Sequence, residues 1–123
     1  MIKKSLWIHN ILVPISEIAD PKYQERAWIA REFHEYSSFQ DTICRLYDDA
    51  CFEDFVDFQA ERFDLPRALI LKLQKFKTAL DEYLDRTDTF IDEQDLIKDP
   101  AWKGIQLLAQ EVITEFKQAG FSS

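Results

Sequence analysis

Residues 66–86 read PRALILKLQKFKTALDEYLDR, and this stretch decides the fold class. Leu69, Leu73, Phe76, Leu80, Tyr83 and Leu84 recur at steps of three and four. That spacing lays one apolar stripe along an α-helix of about five turns, and it is not the two-residue alternation of a half-buried strand. Asp64-Leu65-Pro66 breaks the chain just before it. Proline has no N–H to lose and fits at a helix start.

The same spacing extends outward in both directions. Upstream, Phe52, Phe55, Val56, Ala60 and Phe63 form one apolar face, and Phe39, Ile43, Leu46, Tyr47 and Ala50 form another. Ser38 with Asp41 resembles a capping box. Asp48-Asp49 is expected to end the earlier helix and cap the later one, although the pattern leaves open whether the two are continuous. Asp20-Pro21 predicts a helix start, because Asp accepts from free N–H groups and Pro suits the first position. The helix it opens carries Ile29, Phe33 and Tyr36. Downstream, residues 87–92 form a polar loop, Asp92 caps a short turn holding Leu96 and Ile97, and Asp99-Pro100 repeats the start signal. The last helix carries Ala101, Ile105, Leu108, Ala109, Val112 and Phe116, with Gly120 as its C-terminal cap. Gly104 inside it predicts a close helix crossing. Residues 5–13, rich in Leu, Trp, Ile and Val, read as a strand or extended arm ended by Pro14.

The expected fold is therefore all-α: a single domain over residues 1–123, a bundle of four to five helices with a short N-terminal extended segment. Composition agrees. A chain of 123 residues with 46 % hydrophobic and 31 % charged residues has the balance of a globular domain. Two glycines and four prolines are few for a protein built on tight turns. Ten Phe, four Tyr and three Trp are incompatible with a disordered chain. Trp7, Trp28 and Trp102 are expected in the core or an interface. Cys44 and Cys51 suggest no disulfide framework and are expected to be small, partly buried hydrophobes. No apolar run reaches the roughly 20 residues of a membrane span. The start lacks the long apolar run of a signal peptide, so a cytoplasmic location is expected.

The net charge of −8 is concentrated. Residues 41–64 hold eight acids against Arg45 and Arg62, and residues 81–99 hold eight against Arg86 and Lys98. Between them lie Arg67, Lys72, Lys75 and Lys77 without an acid. At about 100° per residue, Glu53, Asp54, Asp57, Glu61 and Asp64 share one side of the helix, opposite Phe52, Phe55, Val56 and Phe63. Like charges four apart cost a helix about 0.2–0.5 kcal/mol per pair. Phe58 lies toward the edge of this stripe, where an aromatic can anchor a partner. These six residues, Glu53, Asp54, Asp57, Phe58, Glu61 and Asp64, are the candidate partner-binding site. The competing reading is a solvated face that aids solubility, neutralised by Lys72, Lys75 and Lys77, with Phe58 packed under the next helix.

Catalytic and cofactor motifs are absent. There is no Gly-rich phosphate loop, no nucleophile elbow, no metal-binding histidine pair and no calcium-loop order. A divalent site among Glu53, Asp57 and Glu61 is a minor alternative. Glu32, His34 and Glu35 read as an exposed polar face before they read as acid–base machinery. We expect no enzyme, no cofactor and no metal. Direct nucleic-acid binding needs basic surface, which this chain lacks.

In its size, its acidic helix Phe52–Phe63 and its aromatic-rich helical core, the chain resembles the small acidic immunity or antitoxin proteins that bacteria make against nuclease toxins. Asp99-Pro100-Ala101-Trp102, leading into an amphipathic helix, is similar to segments of uncharacterised bacterial proteins of this kind. No functional residue carries over from the resemblance. It implies a binding module that occludes a basic protein partner such as a nuclease-type toxin. The alternative is a structural or regulatory subunit that homo-oligomerises or docks on a larger complex; the sequence does not fix the oligomeric state.

Overall fold

A computed structural model of the chain describes residues 3–31, 38–87 and 92–121. Of these residues 83 % are helical, in seven helical stretches, and none is in a strand. The fold is all-α, with more and shorter helices than the four to five expected.

The N-terminal arm is a correction. Residues 5–13 lie inside α1 (Lys4–Ala19), and Pro14 sits buried within that helix. The reason is in the spacing. Ile8, Ile11, Leu12, Ile15 and Ile18 keep helical steps straight through the proline, and all five are buried. An interior proline costs about 3 kcal/mol, whereas burying each aliphatic side chain is worth about 1.5–3 kcal/mol. Five such side chains outweigh one missing hydrogen bond.

Asp20 ends α1 and starts α2 (Pro21–Gln24), its Oδ1 accepting from the N–H groups of Lys22 and Tyr23. The helix runs on into a π-helical segment, π1 (Glu25–Ile29), and stops at Arg31 with φ 53°. Phe33 and Tyr36 lie outside the described residues. Ser38 caps α3 (Phe39–Cys44) by accepting from Asp41 N–H at 3.0 Å. The rest of the expected box is rearranged. Asp41 turns to Arg45 Nε at 3.0 Å, and Glu93 reaches across to accept from Phe39 N–H at 2.8 Å. α3 continues into π2 (Arg45–Asp49).

Asp48-Asp49 does not cap the next helix, a second correction. The chain turns at Ala50 and Cys51, and Cys51 adopts a left-handed φ of 50° before α4 (Phe52–Asp54) begins. α4, π3 (Phe55–Gln59) and α5 (Ala60–Arg62) follow one another without a gap. Asp64, with φ 59°, then turns the chain, Leu65 N–H reaching back to the Ala60 carbonyl. α6 (Arg67–Arg86) starts after Pro66 as its sequence dictates. α7 (Glu93–Leu96) and α8 (Pro100–Gln118) are capped by Asp92 and Asp99. Gly120 ends α8 at φ 92°, with Phe121 N–H bonded to the Phe116 carbonyl, an αL cap for which glycine carries no Cβ penalty. Gly104 faces open space rather than a helix crossing. Cys44 and Cys51 are exposed, not partly buried.

α8 packs against both α1 and α6. One buried cluster draws on all of these elements. Toward one end, Trp102 meets Trp28, Phe39 and Tyr83. Elsewhere Trp7 meets Phe55 and Phe63, and Phe52 meets Phe76 and Tyr47. Arg45, at the start of π2, is tied to α1 through a forked pair with Glu17, which also accepts from the Thr42 hydroxyl of α3 at 2.8 Å. Hydrogen bonding to Glu17 raises the Arg45 pKa further above its usual value. No helix of the described residues is long and apolar enough to cross a membrane.

Tyr83 carries a pH prediction. Burial, then its 2.9 Å hydrogen bond to Asp99, pushes its pKa up to about 12. The folded state thus holds this proton more tightly than the unfolded chain, where a tyrosine titrates near 10. The resulting stability is complete below about pH 10 and is lost as pH rises toward 12. Urea midpoints from pH 8 upward should fall in that window, and Tyr83→Phe should flatten the fall. A midpoint unchanged to pH 12 contradicts the assignment.

Candidate protein-binding face

The acidic face is carried by α4, π3 and α5. The buried side of this rod is Phe52, Phe55, Val56 and Ala60, with Phe63 half-buried. Glu53, Asp54, Asp57, Phe58, Glu61 and Asp64 are all exposed. The π segment matters to their arrangement. In an α-helix, residues four apart drift by about 40° around the axis. A π turn takes more residues per turn, which removes much of that drift. Glu53, Asp57 and Glu61 therefore stack as one column, and Asp54, Phe58 and Arg62 as the next. Phe58 is 58 % exposed.

No lysine of α6 forms an ion pair with this face among the described residues. Lys72 bonds Glu111 at 2.9 Å, and Lys77 bonds Asp81 at 2.8 Å. Lys77 feels the charge of Asp57 and Glu53, yet its hydrogen bond goes to Asp81, and that bond is the main cause of its raised pKa. Among the described residues none of the five carboxylates has an ion pair. Neither does Phe58 pack under a neighbouring helix.

The second acidic block has a different fate, which its sequence does not reveal. Asp81 accepts from the Tyr47 hydroxyl and from Lys77. Asp92 and Asp99 cap helices, and Asp99 also accepts from Tyr83. Glu93 takes Phe39 N–H and lies 3.6 Å from Arg31. Those four acids hold partners inside the fold, whereas the five on the rod form no ion pair among the described residues. Among the described residues no group of three or more potential metal ligands lies close enough to hold an ion, Glu53, Asp57 and Glu61 included. Glu32, His34 and Glu35 fall outside the described residues, and His9 is exposed.

Comparison with protein-family models, with curated proteins and with solved structures finds no match for this chain.

Proposed function

We propose that this chain is a protein-binding module that covers a basic surface of a partner protein, in the manner of an immunity or antitoxin protein. The observation that carries the reading is the α4–π3–α5 face. It presents five exposed carboxylates that form no ion pair among the described residues, with an exposed Phe58 on the same rod. Keeping like charges four apart costs the helix stability, and among the described residues no ion pair offsets that cost. A cationic surface would. Complementary charge chiefly speeds encounter and selects partners, while a desolvated aromatic supplies the anchor. A nuclease-type toxin fits this chemistry, because a surface that binds phosphates must be cationic. In this reading the chain acts in the cytoplasm as a compact helical bundle.

The test is capture by the tagged full chain against the variant Glu53→Lys/Asp57→Lys/Glu61→Lys. Basic proteins retained by the first should be lost from the second. For a purified partner, the association rate at low salt should fall by about a hundredfold or more on reversal, since steering by opposed fields contributes about 10–1,000-fold. Equal retention by both chains would remove the face from consideration.

A further inference from the structure

A hollow of about 460 Å³ lies between the start of α2, the end of α7 and the middle of α8, with Lys22, Glu25, Ile97, Lys103, Gln106 and Leu107 in its wall. Small-ligand sites commonly measure about 300–1,000 Å³. Gln106 is only 8 % exposed, and its amide is oriented from behind. Gln24 gives its Nε2 to two carbonyls, so its Oε1 is the end that meets Trp102 and Gln106. An amide answers an acceptor with its N–H, and Gln106 Nε2 donates to Gln24 Oε1 at 2.7 Å. That leaves Gln106 Oε1 as an acceptor without a partner among the described residues. Among those residues Trp28 Nε1 is the one side-chain N or O atom both sealed from solvent and unpartnered. Gln106 Oε1 is therefore open to solvent, through the hollow that its residue lines.

Around this open carbonyl the hollow sets both signs of charge. Lys22, Lys103 and Glu25 are exposed, and none forms an ion pair among the described residues. Ile97, half-buried, and Leu107, exposed, add aliphatic surface. A ligand of one sign meets a like charge in this wall, whereas a zwitterion meets a complement at each end. We propose that the hollow binds a small zwitterion with an aliphatic side chain, the chemistry shared by a free aliphatic amino acid and a short peptide. The ligand's N–H group donates to Gln106 Oε1, its ammonium faces Glu25, and its carboxylate faces Lys22 and Lys103. Its side chain covers Leu107 and Ile97. A few polar groups converging in a partly apolar wall is the usual construction of such a site. The hollow shares no residue with the α4–π3–α5 face, so this proposal stands apart from the protein-binding reading.

Calorimetric titration of the full chain with L-leucine and, separately, with L-leucyl-L-leucine is the test. At least one should bind saturably with a Kd of about 1 mM or below. Tighter binding of leucine supports the proposal with a free amino acid as ligand, and tighter binding of the dipeptide supports it with a peptide. N-acetyl-L-leucinamide keeps the side chain and amides but neither charge, and it should bind at least about tenfold more weakly. Gln106→Met, which removes the open carbonyl, should weaken binding by about tenfold or more. Because Gln106 also serves the buried network, the exposed pair Lys22→Ala/Lys103→Ala gives a second readout that leaves the core untouched, with an expected loss of about tenfold. Absence of saturable binding by either probe up to about 10 mM overturns the proposal. So does an uncharged analogue that binds as tightly as the zwitterions, or an affinity unchanged in Lys22→Ala/Lys103→Ala. None of these results alters capture of basic proteins by the acidic face, so the two readings fail separately.

Discussion

Trp102→Ala is expected to lower the unfolding free energy by about 3–5 kcal/mol, the cost of truncating a large aromatic in a packed core. Trp102 is fully buried. Its ring lies 5.4 Å from Phe39 in an edge arrangement, 5.6 Å from Tyr83 and 6.4 Å from Trp28. One side chain therefore joins α8 to α3, α6 and π1. Its Nε1 donates to Gln24 Oε1 at 3.1 Å, which adds α2. Loss of the ring opens a cavity walled by other aromatics, rigid groups that collapse poorly into the space. A domain of this size has about 5–15 kcal/mol of stability in total, so the variant should lose a large share of it, and its Tm should fall by roughly 10–20 °C. Leu107→Ala, exposed on the same helix, should change stability by no more than about 0.5 kcal/mol. Urea unfolding followed by circular dichroism measures both. A loss below about 1 kcal/mol for Trp102→Ala would show that the cluster is not the keystone its contacts suggest.

Much of this architecture is legible in the sequence, and the failures have physical causes. α6 and α8 are read correctly because their apolar residues keep strict helical spacing and their starts carry capping chemistry. The caps at Asp20, Ser38, Asp92 and Asp99 are local chemistry and emerge as expected. α1 is misread because Pro14 weighs locally against helix, while the burial that overrides it is a property of the whole fold. The turn at Ala50–Cys51 is invisible because left-handed residues other than Gly or Asn carry no sequence signal, and here Arg31, Cys51 and Asp64 all take that conformation. The π segments are equally silent. Net charge shows two equal acidic blocks. Only the fold distinguishes acids that cap helices and bind tyrosines from exposed acids that form no ion pair among the described residues.

Gln24 carries the second large effect, and here the polar atoms matter more than the volume. The side chain is completely buried and uses both of its ends. Nε2 donates to two carbonyls at the end of α1, Glu17 at 2.9 Å and Ile18 at 2.8 Å; the Glu17 carbonyl also accepts from Asp20 N–H at 3.4 Å. Oε1 accepts from Trp102 Nε1 at 3.1 Å and Gln106 Nε2 at 2.7 Å. Gln24→Leu keeps roughly the same bulk but removes four hydrogen bonds, and of the four partners the Glu17 carbonyl retains a bond from Asp20 N–H. A buried polar group left unsatisfied costs about 1–3 kcal/mol. Gln106 is 8 % exposed and can reach water, so the four penalties will not add in full, and a loss of about 3 kcal/mol is expected. Gln24→Glu separates hydrogen bonding from shape. A carboxylate there can still accept from Trp102 and Gln106 but faces two carbonyls with no proton to offer. Burial would raise its pKa above the unfolded value of about 4.3. The folded variant would then bind a proton more tightly than its unfolded chain. Relative to wild type it should gain stability as pH falls toward 4, and lose it as pH rises through the raised pKa. Gln24→Leu should show no such relative pH dependence. If the two variants track each other from pH 4 to 8, the network is not satisfying buried groups, and the join between α1, α2 and α8 rests on apolar packing alone.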